Sequence, residues 1–274
     1  MTINCKGQLI DLTTSKVMGI LNITPDSFYD GGKYKNDKDI LLQAEKILVE
    51  GASFIDVGAY SSRPGAEQVD QETELKRIIP VIELLTKHLP EAIISVDTYR
   101  SDVARHCIEA GAALINDISA GQMDENMMKT VGELGVPYIM MHIKGTPQDM
   151  QNQTSYDDLV KDIIFYFSER LAEAKSQKIN DIIIDPGFGF SKTLEQNYEL
   201  LNKLELIKLL GLPIMVGVSR KSMIYKLLEA TPDNALNGTT ALNSIALYKG
   251  ATFLRVHDVK EAMECIALTN QLNS

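Results

Sequence analysis

Asp181-Ile182-Ile183-Ile184-Asp185-Pro186-Gly187 is the stretch that decides the fold. A short, continuous apolar run stops at a polar turn, which is the pattern of a strand covered on both faces in a parallel sheet. Runs of the same kind recur at 17–21, 53–57, 92–96, 113–116, 136–141, 213–218 and 251–256, so with 181–184 there are eight. Between them lie segments with helical spacing, such as Ile40-Leu41-Ala44-Ile47-Leu48, Leu75-Ile78-Ile79-Ile82-Leu85 and Leu159-Ile163-Tyr166-Phe167-Leu171. No Pro/Gly/Ser-rich linker interrupts the alternation. The order predicts an α/β protein, a single (β/α)8 TIM barrel over residues 1–274, in preference to an open doubly wound sheet. Residues before Val17, with Lys6-Gly7 between short polar and apolar stretches, predict a hairpin that closes the bottom of the barrel.

Composition agrees with one large core. The 274 residues are 45% hydrophobic and 23% charged, an ordinary globular balance. Lys and Arg number 27 against 37 Asp and Glu, a net charge of −10 that disfavours nonspecific contact with a nucleic-acid backbone. A local basic cluster can still hold a small anion. Cys5, Cys107 and Cys265 are far apart and lack metal-ligand spacing, so free thiols and a reducing cytoplasm are expected. No stretch approaches the roughly 20 apolar residues of a membrane span.

In a barrel of this kind the active site gathers where strands end and βα loops begin. Those positions carry Asn22 with 24–28, Asp56 with 61–65, Asp97, Asn116-Asp117, His142, Asp185-Pro186-Gly187, Ser219-Arg220-Lys221-Ser222, and Arg255 with His257-Asp258. Any single Asp, Asn or Ser there reads first as a cap or turn residue. Capping does not call for Arg, Lys and His as well. Polar groups at all eight strand ends point to one shared mouth. Met140-Met141 and Met127-Met128 read as core residues.

The motifs MGILNITPDSFYDGG (18–32), SSRPGA (61–66), SVDT (95–98), INDI (115–118), DPGFGFSK (185–192), SRKS (219–222) and RVHDV (255–259) closely resemble the bacterial dihydropteroate synthase family. The likeness runs over nearly the whole chain in the same order. SVDT and INDI are weak alone; the first motif with SRKS and RVHDV is highly specific. The resemblance implies an enzyme of folate synthesis that joins 6-hydroxymethyl-dihydropterin diphosphate to p-aminobenzoate, releasing diphosphate.

A pterin edge offers donors and acceptors together, which carboxylates and an amide can match. By resemblance Asp97, Asn116 and Asp185 grip the pterin and Lys221 donates to it. The resemblance gives the diphosphate to Arg63, Arg255 and His257, with a hydroxyl from Ser62, where the family often has Thr. Arg suits phosphate through its planar fork. Asn22 matches the family's Mg²⁺ ligand, and a metal that takes oxygens from substrate phosphates is expected to bind weakly without them. Phe28, Ser61, Pro64, Phe190, Ser219 and Lys221 are implied around p-aminobenzoate, and Asp30 near the cation-like intermediate. Lys221, Arg255, Arg63 and Asp30 are thus the implied catalytic set. A homodimer and a place among sulfonamide targets are further family expectations.

One departure stands out. Many family members read GGEST where this chain has Gly58-Ala59-Tyr60-Ser61-Ser62, so Tyr60 replaces an acidic residue. Two rival readings are a pterin-binding methyltransferase barrel, which handles no diphosphate, and a catalytically silent pterin-binding barrel. Arg63, Lys221, Arg255 and His257 count against the first, and the retained anchors against the second.

Overall fold

The computed structural model describes residues 1–23, 37–60 and 69–272. Strands β1 (Thr2–Cys5) and β2 (Gln8–Asp11) pair antiparallel around a turn at Lys6 and Gly7, both at positive φ. The barrel follows: β3 (Lys16–Asn22), α1 (Asp37–Val49), β4 (Phe54–Gly58), α2 (Gln71–His88), β5 (Ile94–Asp97), α3 (Ser101–Glu109), β6 (Leu114–Asp117), α4 (Met127–Leu134) and β7 (Tyr138–Met141). Then come α5 (Leu159–Ser176), β8 (Ile182–Asp185), α6 (Leu194–Asn202), β9 (Met215–Val216), the short α7 (Ser222–Tyr225), α8 (Leu236–Tyr248), β10 (Phe253–Val256) and α9 (Val259–Asn270).

The eight strands β3 to β10 are parallel in the order β8-β7-β6-β5-β4-β3-β10-β9, and a parallel bridge between Ile184 and Ile214 joins the two ends. All eight expected strands are present, within a few residues of their expected limits. The expected 213–218 strand is the shortest, at two residues. Pro213 has no N–H for a ladder, although its carbonyl accepts from Ile184 at 3.0 Å.

Alternation along the strands sorts the interior into layers. Met18, Phe54, Leu114, Ile139, Ile183, Met215 and Phe253 pack together as an apolar floor. Ile3, Cys5 and Leu12 of the hairpin segment join that cluster from below, so the hairpin does close the bottom. Residues of the opposite parity, such as Ile55, Val57, Val96, Ile115 and Ile184, pack outward with the helices. Two positions beyond the floor the inward parity delivers Asp56, Asn116, Asp185, Gly217 and Arg255, and the polar layer of the barrel begins there. Cys5, Cys107 and Cys265 are buried free thiols, and Met127, Met128, Met140 and Met141 are buried as expected. Among the described residues no helix is long and apolar enough to cross a membrane.

Candidate active site

Asp97, Asn116, Asp185, Lys221 and Arg255 line one cavity at the C-terminal mouth of the barrel, with Ile118, Met141, Phe190 and Gly217 as its apolar walls. Five of the residues implied for substrate binding are therefore brought together, and Phe190 with them. Strand register explains the convergence. Asp97 stands beside Asn116 across β5 and β6, while Gly58 stands between Asn22 and Asp97 across β3, β4 and β5. A Cβ on Gly58 would lie 3.7 Å from both Asn22 Oδ1 and Asp97 Oδ2, so the missing side chain keeps the space between these oxygens open.

Asp56 is the hub beneath the cavity. Its carboxylate is fully buried and accepts from Ser95 Oγ at 2.5 Å, Asn116 Nδ2 at 3.0 Å and Arg255 Nε at 2.6 Å. Arg255 also donates from Nη2 to Asp97 Oδ2 at 2.7 Å. The guanidinium expected to meet diphosphate thus bridges two carboxylates here, and its fork has further N–H groups beyond these two. Burial pushes Asp97 up to about 7; Arg255 opposes the shift and Asp56 adds to it. Asp185 is also raised by burial, against the pull of Lys221.

Asp185 shapes the turn after β8. Its Oδ1 accepts from Gly187 N at 2.8 Å while the side chain still lines the cavity, so the turn role and the inward role coexist. Gly187 has φ +73°, and a Cβ there would lie 2.1 Å from the His142 carbonyl oxygen, which excludes any side chain. Lys221 donates to Phe188 O at 2.5 Å and stands 4.7 Å from the centre of the Phe190 ring. Burial lowers it to about 8, with Asp185 pulling the other way.

Sequence reasoning gave Lys192 no role. Its buried ammonium meets His142 Nδ1 at 3.0 Å, Gly187 O at 2.9 Å and Phe190 O at 3.0 Å, one acceptor for each N–H. Burial lowers Lys192 to about 7 and holds His142 well below its usual value, which favours a neutral imidazole. The phase of DPGFGFSK alone could not show that this lysine turns back under its own loop. Arg220 is likewise a clamp: it grips Asp258 through two bonds of 2.9 and 2.7 Å and ties the loop after β9 to the one after β10.

Ser219 and His257 pair with each other, Oγ to Nδ1 at 3.1 Å, and the His257 amide donates to Ser219 Oγ at 3.2 Å. Asn22 ends β3 at the mouth. Phe28, Asp30, Ser61, Ser62, Arg63 and Pro64 lie outside the described residues.

The model of the pterin binding enzyme family matches residues 18–257, which places the chain in the class that the barrel and its polar mouth suggest. The dihydropteroate synthase of Escherichia coli (strain K12) is 42% identical over 268 residues, covering 97% of this chain and 94% of that protein. The one from Synechocystis is 45% identical over 250 residues, covering 90% and 86%. Among solved structures, Yersinia pestis dihydropteroate synthase in a sulfonamide drug complex superposes with a TM-score of 0.94 at 40% identity, covering 100% of this chain and 99% of that one. The Xanthomonas albilineans enzyme with 4-aminobenzoic acid gives 0.92 at 36%, covering 100% and 98%. The chain belongs to the dihydropteroate synthase family of pterin-binding enzymes.

Proposed function

We infer that the chain condenses 6-hydroxymethyl-7,8-dihydropterin diphosphate with p-aminobenzoate to give 7,8-dihydropteroate and diphosphate. The observation that carries this reading is the convergence of Asp97, Asn116, Asp185, Lys221 and Arg255, from separate strands and loops, on one cavity. Family membership supports it.

Within this reading, Asp185 and Asp97 accept from the N–H groups of the pterin, Asn116 supplies its amide, and Lys221 donates to the ring. Ile118, Met141 and Phe190 exclude water from its faces. Arg255 and His257, with Arg63 and Ser62, hold the diphosphate, and Arg255 reaches it from its seat between Asp56 and Asp97. Phe190, Ser219 and Lys221 border p-aminobenzoate, and the family resemblance assigns Phe28, Ser61 and Pro64 to the same substrate and Asp30 to the cation-like intermediate, all four outside the described residues. The carbon–oxygen bond to diphosphate breaks, and the arylamine nitrogen bonds to the methylene carbon and loses a proton. The chain contributes orientation, dry surroundings and charge at the leaving group rather than a nucleophile of its own.

Magnesium fits the donor set. Asn22 Oδ1 and Asp97 Oδ2 border the gap above Gly58. Among the described residues no group of three or more His, Cys, Asp or Glu is placed to hold a metal. Asn22 would hold the ion together with substrate phosphate oxygens, and the ion supplies charge neutralisation of the departing diphosphate. A cytoplasmic homodimer belongs to the same reading, and sedimentation of the purified protein checks the dimer.

Titration calorimetry tests the pterin grip. The wild-type protein is expected to bind the pterin diphosphate, and Asp185→Ala to bind it about fivefold to a hundredfold more weakly, since an unpaired buried donor costs about 1–3 kcal/mol. Equal affinity of the two would contradict the assignment.

A further inference from the structure

Tyr60 follows β4, and its hydroxyl donates to Asp97 Oδ1 at 3.1 Å. The other oxygen of that carboxylate takes Arg255 Nη2 at 2.7 Å. Asp97 is therefore held at both oxygens by two different side chains, which restrains the plane of its carboxylate. Each oxygen still has a lone pair to offer, because a carboxylate accepts at about four positions.

The phenol is itself fixed. Its ring meets Tyr99 edge-on, with centroids 5.3 Å apart and planes at 88°, and packs in the apolar group that includes Ile118 and Met141 of the cavity wall. Tyr99 lies under the Arg100 guanidinium at 4.7 Å, and Arg100 pairs with Glu74 of α2. Tyr60 thus connects Asp97 to a braced part of the scaffold. A carboxylate in its place would face Asp97 as a like charge; the phenol faces it as a donor.

We propose that Tyr60 is a positioning residue for pterin recognition, acting through Asp97 by fixing the carboxylate plane that meets the ring. The inference rests on the functional reading above.

The test is a double-mutant cycle on binding of the pterin diphosphate, read by calorimetry with the full chain. Tyr60→Phe keeps the ring and removes only the hydroxyl. It is expected to weaken pterin binding about tenfold, as for loss of a hydrogen bond to a charged group. The KM for p-aminobenzoate and kcat at saturating pterin are expected to stay within about twofold. In an Asp97→Ala background, which leaves the hydroxyl no side-chain acceptor at that position, the same substitution is expected to change pterin affinity little. Unchanged affinity in Tyr60→Phe, or an equal loss with and without Asp97, would overturn the proposal. A wild-type protein that bound no pterin would instead overturn the functional reading on which it rests.

Discussion

Asp56 shows what a single buried charge does in this barrel. It orients Asn116 and Arg255 at once, so two groups of the site inherit their direction from a fully buried neighbour in the same polar layer. Asp56→Ala would strand the Asn116 amide and one edge of Arg255. The expected loss is about 3–5 kcal/mol of unfolding free energy, as for a broken buried ion pair, measured by urea titration. A loss under 1 kcal/mol would mean that Asp97 alone satisfies the arginine. Asp97, Asn116, Asp185, Lys221 and Arg255 were legible in the sequence because each ends a strand or opens the loop after one. The role of Asp56 was not, although it shares the inward parity of Phe54. Its partners, Ser95, Asn116 and Arg255, stand 39, 60 and 199 residues away, and no local pattern links them.

The loop between β8 and α6 is the element on which the cavity depends most. Asp185 shapes its start, the capping box of Thr193 and Gln196 fixes the helix that ends it, and Lys192, just before that cap, ties Gly187 and Phe190 of the loop to His142. Phe188 O and the Phe190 ring, both set by this loop, place Lys221. Lys192 also gives a pH signature. Its value falls from an ordinary 10.5 to about 7 on folding, so between these limits the unfolded chain holds more protons. Its contribution to stability therefore rises with pH from about 7 towards 10. Urea titrations of wild type and Lys192→Met at pH 7 and pH 9.5 are expected to show the gap moving in favour of the wild type at the higher pH. A gap that stays constant would show that Lys192 keeps its ordinary value. The strand and the turn were readable from an apolar run and Asp-Pro-Gly, whereas the return of a lysine beneath its own loop depends on packing.

At the scale of the molecule, the barrel divides labour between its two ends. The floor of apolar side chains and the hairpin below it carry stability, and the polar layer above carries the chemistry. Ile3, at 2% exposure, belongs to the lower end. Ile3→Ala is expected to cost about 2–5 kcal/mol of stability and to leave pterin affinity unchanged under native conditions. Weakened binding in a folded Ile3→Ala protein would mean that the two ends are coupled. Eight apolar runs alternating with helical segments were enough to foresee the barrel, because burial on both faces leaves a continuous hydrophobic signature. The closing contact between Ile184 and Ile214 was not foreseen, since it rests on a bridge rather than on a full strand.

The central claim is that this mouth joins a pterin to an arylamine at the expense of a diphosphate. The direct measurement incubates the purified protein with 6-hydroxymethyl-7,8-dihydropterin diphosphate, p-aminobenzoate and Mg²⁺, and follows dihydropteroate by chromatography and diphosphate by phosphorus resonance. The account predicts both products in equal amounts, each dependent on p-aminobenzoate. No dihydropteroate, or diphosphate released without it, would contradict the account.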